Sequence, residues 1–354
     1  MTTDRATTVT RIVIRPPNWL GDAVLALPAM SAVRRQYPDA SITVAAAPAV
    51  AALFREETHV APDQVIDLPR ATRDAVAVLE GGGFDAGLLL PNSFRSAWQF
   101  WRGGVRERWG YATAGRGLLL TRRIRRPRGP GVMHQSDYYR ALVRGLDVAC
   151  DDAETPWIRP RPPSVDRAMA LLTERGVPAG ARLVGFAPGA AYGAAKQWPP
   201  DRVAAVLARI VQAFDVTAVV VGASHDRAAA RAIESWLRAH APDALARTVD
   251  LTGRTSLGAL LGLMPRVAAL LSNDSGAMHL AAAAGRPVVA VFGPTDERAT
   301  GPIGDHDVMT EPVFCRPCQL RECPIDHRCM TRVSVDVVFA ALAARVTAAG
   351  AAAR

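Results

Sequence analysis

Two successive runs of short apolar segments, each alternating with helix-spaced stretches and separated by a proline-rich break, constrain this 354-residue chain more than any other feature. Arg11 to Arg15 reads as a buried strand, Pro16 to Gly21 as a loop, and Asp22 to Tyr37 as a helix stopped by Pro38. Ser41 to Ala47, Gln64 to Leu68 and Asp85 to Leu90 supply three more strands, with a helix from Ala71 to Leu79 closed by the glycines at 81 to 83. Strands joined through helices run parallel, and the helices then cover both faces of the sheet. The run Arg159 to Pro163 (R-P-R-P-P) continues neither a helix nor a central strand, because proline lacks the amide donor and fixes its own dihedral. A linker is expected there, dividing 1–160 from 161–354. Beyond it Leu183 to Ala187, Val216 to Val221, Val267 to Leu271 and Val288 to Phe292 repeat the pattern. Two α/β domains with parallel, Rossmann-like sheets are expected, each holding ligands outside the carboxyl ends of its strands.

Composition narrows the function classes. With 49% hydrophobic and 21% charged residues the chain has the make-up of a packed globular protein. No run approaches the ~20 apolar residues of a membrane span. The polar stretch Met1 to Arg11 lacks the apolar core of a secretory signal, so the cytoplasm is the expected compartment. A net charge of +9 suits nucleic acid, anionic lipid or a phosphorylated glycolipid. The absence of zinc-finger pairing, of RNA-binding aromatic signatures and of a recognition-helix pattern argues against nucleic acid.

Five segments could carry chemistry. L-S-N-D-S-G, Leu271 to Gly276, joins a strand to an alanine-rich helix through capping residues, which leaves free amides and the positive dipole end facing any anion above the strand ends. His279 lies one turn on from Ser275 and on the same face; the bland alternative is an ordinary cap with a packed core histidine. Pro188 to Pro199 holds Gly189, Gly193 and Lys196, which suit a pyrophosphate leaving group, or else Lys196 is a solvated loop lysine. Trp198 there reads as a packing anchor. Asn18 to Asp22 (N-W-L-G-D) ends the first strand, so Asp22 is either a general base or a plain helix-cap aspartate.

Pro91 to Ser96 (P-N-S-F-R-S) follows another strand, and ten arginines lie between Arg95 and Arg128. Arginine forks match anionic acceptors, with Arg95 nearest a strand end, although most of the others read as solvated surface. Cys315, Cys318, Cys323 and Cys329 form C-x2-C-x4-C-x5-C, a spacing open to a structural zinc or iron site or to free or partly oxidised thiols.

Taken in order, N-W-L-G-D, P-N-S-F-R-S, P-G-A-A-Y-G-A-A-K-Q-W-P and S-N-D-S-G-A-M-H resemble the ADP-heptose:lipopolysaccharide heptosyltransferases (glycosyltransferase family 9), and within them the heptosyltransferase II group. The resemblance spans nearly the whole chain. It implies a GT-B fold, two Rossmann-like domains with sheets facing across a cleft, the first binding acceptor and the second ADP-heptose. It also implies a terminal helix, Ser334 to Ala349, that returns toward the first domain. Position by position, the catalytic base falls on Asp22, the donor-phosphate lysine on Lys196, and donor contacts on Asp274, Ser275, Gly276 and His279. Asp226 falls at the nucleotide ribose and Thr255 near the adenine, and acceptor contacts are expected at Asn18, Asn92 and Arg95.

The implied reaction is an inverting transfer of heptose from ADP-L-glycero-D-manno-heptose to the phosphorylated inner core of lipopolysaccharide, onto heptose I, by a monomer working peripherally at the inner membrane. No catalytic cofactor is expected. Related protein heptosyltransferases carry a metal-bound cysteine motif, with different spacing. Transfer to an autotransporter protein, which shares the donor and differs only in acceptor, is one alternative; a non-catalytic nucleotide-sugar-binding protein is the other.

Overall fold

A computed structural model describes residues 9–127 and 131–352; Met1 to Thr8 of the polar N-terminal stretch, and Arg128 of the arginine-rich one, lie outside the described residues. The chain divides into two compact units, Met1–Pro156 and Trp157–Arg354.

The first unit is a six-stranded sheet of β1 (Arg11–Arg15), β2 (Ser41–Ala46), β3 (Gln64–Asp67), β4 (Ala86–Leu89), β5 (Glu107–Tyr111) and β6 (Arg122–Ile124). Every pairing is parallel and the order is β3-β2-β1-β4-β5-β6. The chain therefore winds outward from β1 in one direction, returns, and winds outward from β4 in the other. That reversal opens a crevice beyond the carboxyl ends of β1 and β4, where such sheets bind ligands. The segment expected as one helix over 22–37 forms two, Leu20–Leu25 and Leu27–Gln36. Pro28 explains the break: it offers no amide to continue the first helix but fits the opening turn of the second.

The second unit repeats the plan with β7 (Leu183–Ala187), β8 (Thr217–Val220), β9 (Thr248–Asp250), β10 (Val267–Asn273), β11 (Val288–Val291) and β12 (His306–Met309). Its order, β12-β11-β10-β7-β8-β9, is the same winding, with the reversal between β7 and β10. Alternation along the strands builds a core on each face. Val184, Phe186, Ala218, Val220, Val289 and Val291 point into one, and Leu183, Ala187, Val219, Val221, Val288 and Ala290 into the other. Pro162 does not belong to a linker: it opens the helix Pro162–Glu174, where a missing amide hydrogen leaves no bond unmade. The terminal helix Val335–Ala352, which the resemblance sends toward the first domain, puts Val338, Leu342 and Val346, spaced four apart, into the second unit's own core.

Among the described residues no helix is long and apolar enough to cross a membrane.

Gly262, in the helix Leu257–Leu263, marks the tightest approach on the second core face: a Cβ there would stand 2.0 Å from the carbonyl oxygen of Ser164 in the helix Pro162–Glu174. The two backbones must separate to admit a methyl group. Gly262→Ala is expected to destabilise the unit by about 1–3 kcal/mol, read as a lowered midpoint in chemical denaturation, and an unchanged midpoint would disprove the contact.

Candidate functional site

In the second unit the reversal lies between β7 and β10, and the residues that follow those strands meet there. Asp274, first residue past β10, is buried, and its Oδ2 accepts from Lys196 Nζ at 2.5 Å and from Thr295 Oγ1 at 2.5 Å. Lys196 is itself only 9% exposed, so the solvated reading of that lysine is overturned. Its ammonium also sits 4.7 Å from the Tyr192 ring centroid, a cation-π contact. Asn273 fastens the same loop: its side chain accepts from the Trp198 amide at 3.1 Å and donates to the Pro188 carbonyl at 2.5 Å. Trp198 is buried in the core, as a packing anchor should be.

Ser275 occupies the cap position of the helix Gly276–Ala283, yet its hydroxyl makes no capping bond and lies 3.1 Å from Ser272 Oγ. With the Asp274 carboxylate turned to Lys196, the opening amides of that helix keep their donors for an outside anion. His279 is buried in the same helix.

Asp226 sits beyond β8, buried, with Oδ2 accepting from the Ala223 amide at 2.8 Å. Its carboxylate lies where a Cβ on Gly189 would stand, 2.1 Å away, and close to Gly222 as well, so both glycines are required by the approach. Among the described residues no hydrogen bond reaches Oδ1, which His225 Nε2 approaches at 3.5 Å. An acceptor so placed suits a ligand hydroxyl. Thr255 is half-buried just before the Ser256 cap of the helix Leu257–Leu263, on the carboxyl side of β9.

The cysteine segment straps this site. The Arg321 carbonyl accepts from the Ala195 amide at 3.0 Å, the Gln319 carbonyl accepts from Tyr192 Oη at 2.7 Å, and His327 Nε2 lies 2.7 Å from the Ala195 carbonyl. On the other side Arg316 donates to the carbonyls of Gly293 and Thr295 at 2.7 and 3.0 Å. Cys323 Sγ accepts from the His327 amide at 3.3 Å. Burial, then the charges of Cys315, Cys323 and Cys318, pushes the Cys329 thiol up. Although the four thiols share this neighbourhood, among the described residues no three His, Cys, Asp or Glu side chains converge as a metal-ligand set.

In the first unit Asp22 is half-buried in the first turn of the helix Leu20–Leu25, directly after β1. Burial, and then the nearby Asp22 charge, holds the Tyr139 phenol protonated well above its ordinary range. Asn92 donates to Tyr138 Oη at 2.7 Å and accepts from Arg116 Nη2 at 3.4 Å, while Asn18 accepts from Arg15 Nη2 at 2.6 Å. Arg95 is exposed on the helix Phe94–Arg102, which Ser93 caps by accepting from the Ser96 amide at 3.2 Å.

Arg15 and Arg116 escaped the sequence reading. Both are buried, and burial lowers each to about 10. Among the described residues their bonds run to carbonyl, amide and hydroxyl oxygens and to no carboxylate. The one available signal is Arg15's place at the end of a strand that must be buried.

The Lys196–Asp274 pair gives a direct test. Asp274→Ala leaves a buried ammonium without its counter-ion and should cost about 3 kcal/mol of unfolding free energy. The double variant Lys196→Met with Asp274→Ala should recover part of that loss in denaturant titrations; additive losses would mean that the two side chains do not interact.

Several known proteins resemble this chain in sequence and in fold. The sequence profile of glycosyltransferase family 9 (heptosyltransferase) matches residues 74–328. Lipooligosaccharide heptosyltransferase 2 of Haemophilus influenzae is 28% identical over 311 residues, 83% of this chain and 86% of that protein. Lipopolysaccharide heptosyltransferase 2 of Escherichia coli is 27% identical over 310 residues, 83% of this chain and 85% of that one. The solved structure of E. coli ADP-heptose lps heptosyltransferase II superposes with a TM-score of 0.80 at 24% identity, covering 96% of this chain and 99% of the other, which puts the fold in the GT-B class. On the family match, carried over most of its length, the chain belongs to glycosyltransferase family 9, the heptosyltransferases.

Proposed function

We propose that this glycosyltransferase moves heptose from ADP-L-glycero-D-manno-heptose to the phosphorylated inner core of lipopolysaccharide, with heptose I as the accepting sugar, by a single inverting displacement. The observation that carries the reading is the uncapped start of the helix Gly276–Ala283 beside the buried Lys196 ammonium at the reversal point of the second sheet. Two sources of positive potential side by side suit a diphosphate. The names of the H. influenzae and E. coli relatives supply the sugar and the acceptor.

On this reading Asp226 Oδ1 takes a ribose hydroxyl, Thr255 lies by the adenine, and Asp274, Ser275, Gly276 and His279 line the diphosphate and heptose. Asn18, Asn92 and Arg95 hold the acceptor, which presents its hydroxyl to Asp22. That hydroxyl gives its proton to the Asp22 carboxylate as its oxygen bonds to the anomeric carbon, and the bond from that carbon to the diphosphate oxygen breaks, releasing ADP. An ammonium has three N–H donors, so Lys196 keeps donors for the departing oxygens while bound to Asp274. The enzyme works as a monomer in the cytoplasm, peripheral to the membrane that carries its acceptor.

Asp22→Asn should leave ADP-heptose affinity near wild type and lower turnover by about 100-fold or more, measured by calorimetry and by mass spectrometry of the glycolipid product. Near-normal turnover would remove Asp22 from the role of base. Lys196→Ala should weaken ADP binding and slow the chemical step by about 100-fold in the fraction that remains folded; a change confined to acceptor affinity would assign Lys196 to the other substrate.

A further inference from the structure

The helix Phe94–Arg102 shows two opposite faces. Ser96, Ala97, Gln99 and Phe100 are buried, with Ala97 and Phe100 in the first unit's core. Its exposed positions are Phe94, Arg95, Trp98, Trp101 and Arg102, so nothing but aromatic rings and guanidinium groups meets solvent. Phe94, Trp98 and Trp101 are 48%, 39% and 42% exposed. They form a continuous ridge: the Phe94 and Trp98 rings stack with centroids 6.3 Å apart, Trp98 and Trp101 stand 5.0 Å apart, and the Arg102 guanidinium lies 5.9 Å from the Trp101 ring centre. Helical spacing of i, i+4 and i+7 ordinarily carries a stripe into a core; here the stripe is on the outside. The adjoining turn Arg116–Leu119 adds Leu118, 85% exposed.

Charge selects what covers this ridge. Residues 95–128 contain ten arginines and a single acidic residue, Glu107, whose carboxylate accepts from Trp109 Nε1. Of the ten, Arg116 is buried and Arg106 and Arg122 pair with Asp85 and Asp147, whereas Arg95 and Arg102 are exposed on the ridge helix itself, which carries no acidic residue. Tryptophan and phenylalanine settle at the boundary between headgroups and acyl chains, and arginine pairs with lipid phosphate. We propose that the Phe94–Trp98–Trp101 ridge with Arg102 docks the protein on an anionic lipid bilayer. The proposal rests on the reading that the acceptor is carried at a membrane surface, and it adds the face that meets that surface.

The test is flotation of the intact protein with vesicles of phosphatidylethanolamine containing phosphatidylglycerol, against vesicles of phosphatidylcholine alone. The wild type should float with the anionic vesicles and be released by salt. Trp98→Ser with Trp101→Ser should lower partitioning more than about tenfold, and Arg102→Gln should lower it about fivefold on anionic vesicles only. Unfolding midpoints should fall only modestly, since these side chains are partly exposed and lie outside the first unit's core cluster. Three results would overturn the proposal: a wild type that ignores anionic vesicles, a tryptophan variant that floats as well as wild type, or a tryptophan variant that only dissociates an oligomer in sedimentation. Turnover of a soluble core oligosaccharide keeps the two readings apart, because its absence in wild type would remove the heptosyl-transfer reading and leave vesicle binding intact.

Discussion

A carboxylate taken out of water has to be answered by a cation and by donors, and Asp274 imposes that demand on the second unit. Its partners come from two different loops, Lys196 after β7 and Thr295 after β11. Neither partner stands on a strand or an α-helix: Lys196 closes a single 3-10 turn, Ala194–Lys196, and Thr295 lies in a bend. The pair fixes both at the end of β10, at the cost of partly neutralising the lysine. Positive potential toward a bound diphosphate is therefore shared between the ammonium and the opening amides of the helix Gly276–Ala283, and the two reinforce each other only because Asp274 is turned toward the lysine and away from the cap.

The winding order explains why these groups meet at all. In each unit the strands on either side of the reversal send their loops to the same end of the sheet, so residues 78 positions apart, such as Lys196 and Asp274, become hydrogen-bonded neighbours. The first unit uses the geometry differently. There two buried guanidinium groups, Arg15 and Arg116, orient the amides of Asn18 and Asn92. The cysteine segment adds another layer in the second unit, for it joins the backbone beside Lys196 to the backbone beside Thr295 and so spans the two loops that Asp274 draws together.

Central strands were legible from sequence because both of their faces are buried: β1, β2, β7, β10 and β11 read as apolar runs bounded by turn residues. The outer strands β5, β6, β9 and β12 were not foreseen. E-R-W-G-Y, R-R-I, T-V-D and H-D-V-M carry charges at positions that an edge strand or its neighbour tolerates, and nothing in the local pattern separates them from loop. At the site, the strand-to-helix junction at Ser275 and the glycine-rich loop of Lys196 were readable from residue type. That Lys196 would be buried against Asp274 was not, because the pairing is set by sheet order, which local sequence does not encode. The approach of Asp226 to Gly189 and Gly222 stayed hidden for the same reason.

Concentrating the excess charge in one segment has a consequence beyond adhesion. A protein whose arginines were spread evenly would be drawn to an anionic surface as a point charge, in any orientation. Here ten of the 42 basic residues and only one of the 33 acidic ones lie within residues 95–128, so positive potential is concentrated over that segment. In a field that decays over about 8 Å at physiological ionic strength, charge so concentrated is felt only where that segment comes close to the surface. Encounters with the arginine-bearing segment leading are therefore the ones that last, and encounters in other orientations are weaker and shorter-lived.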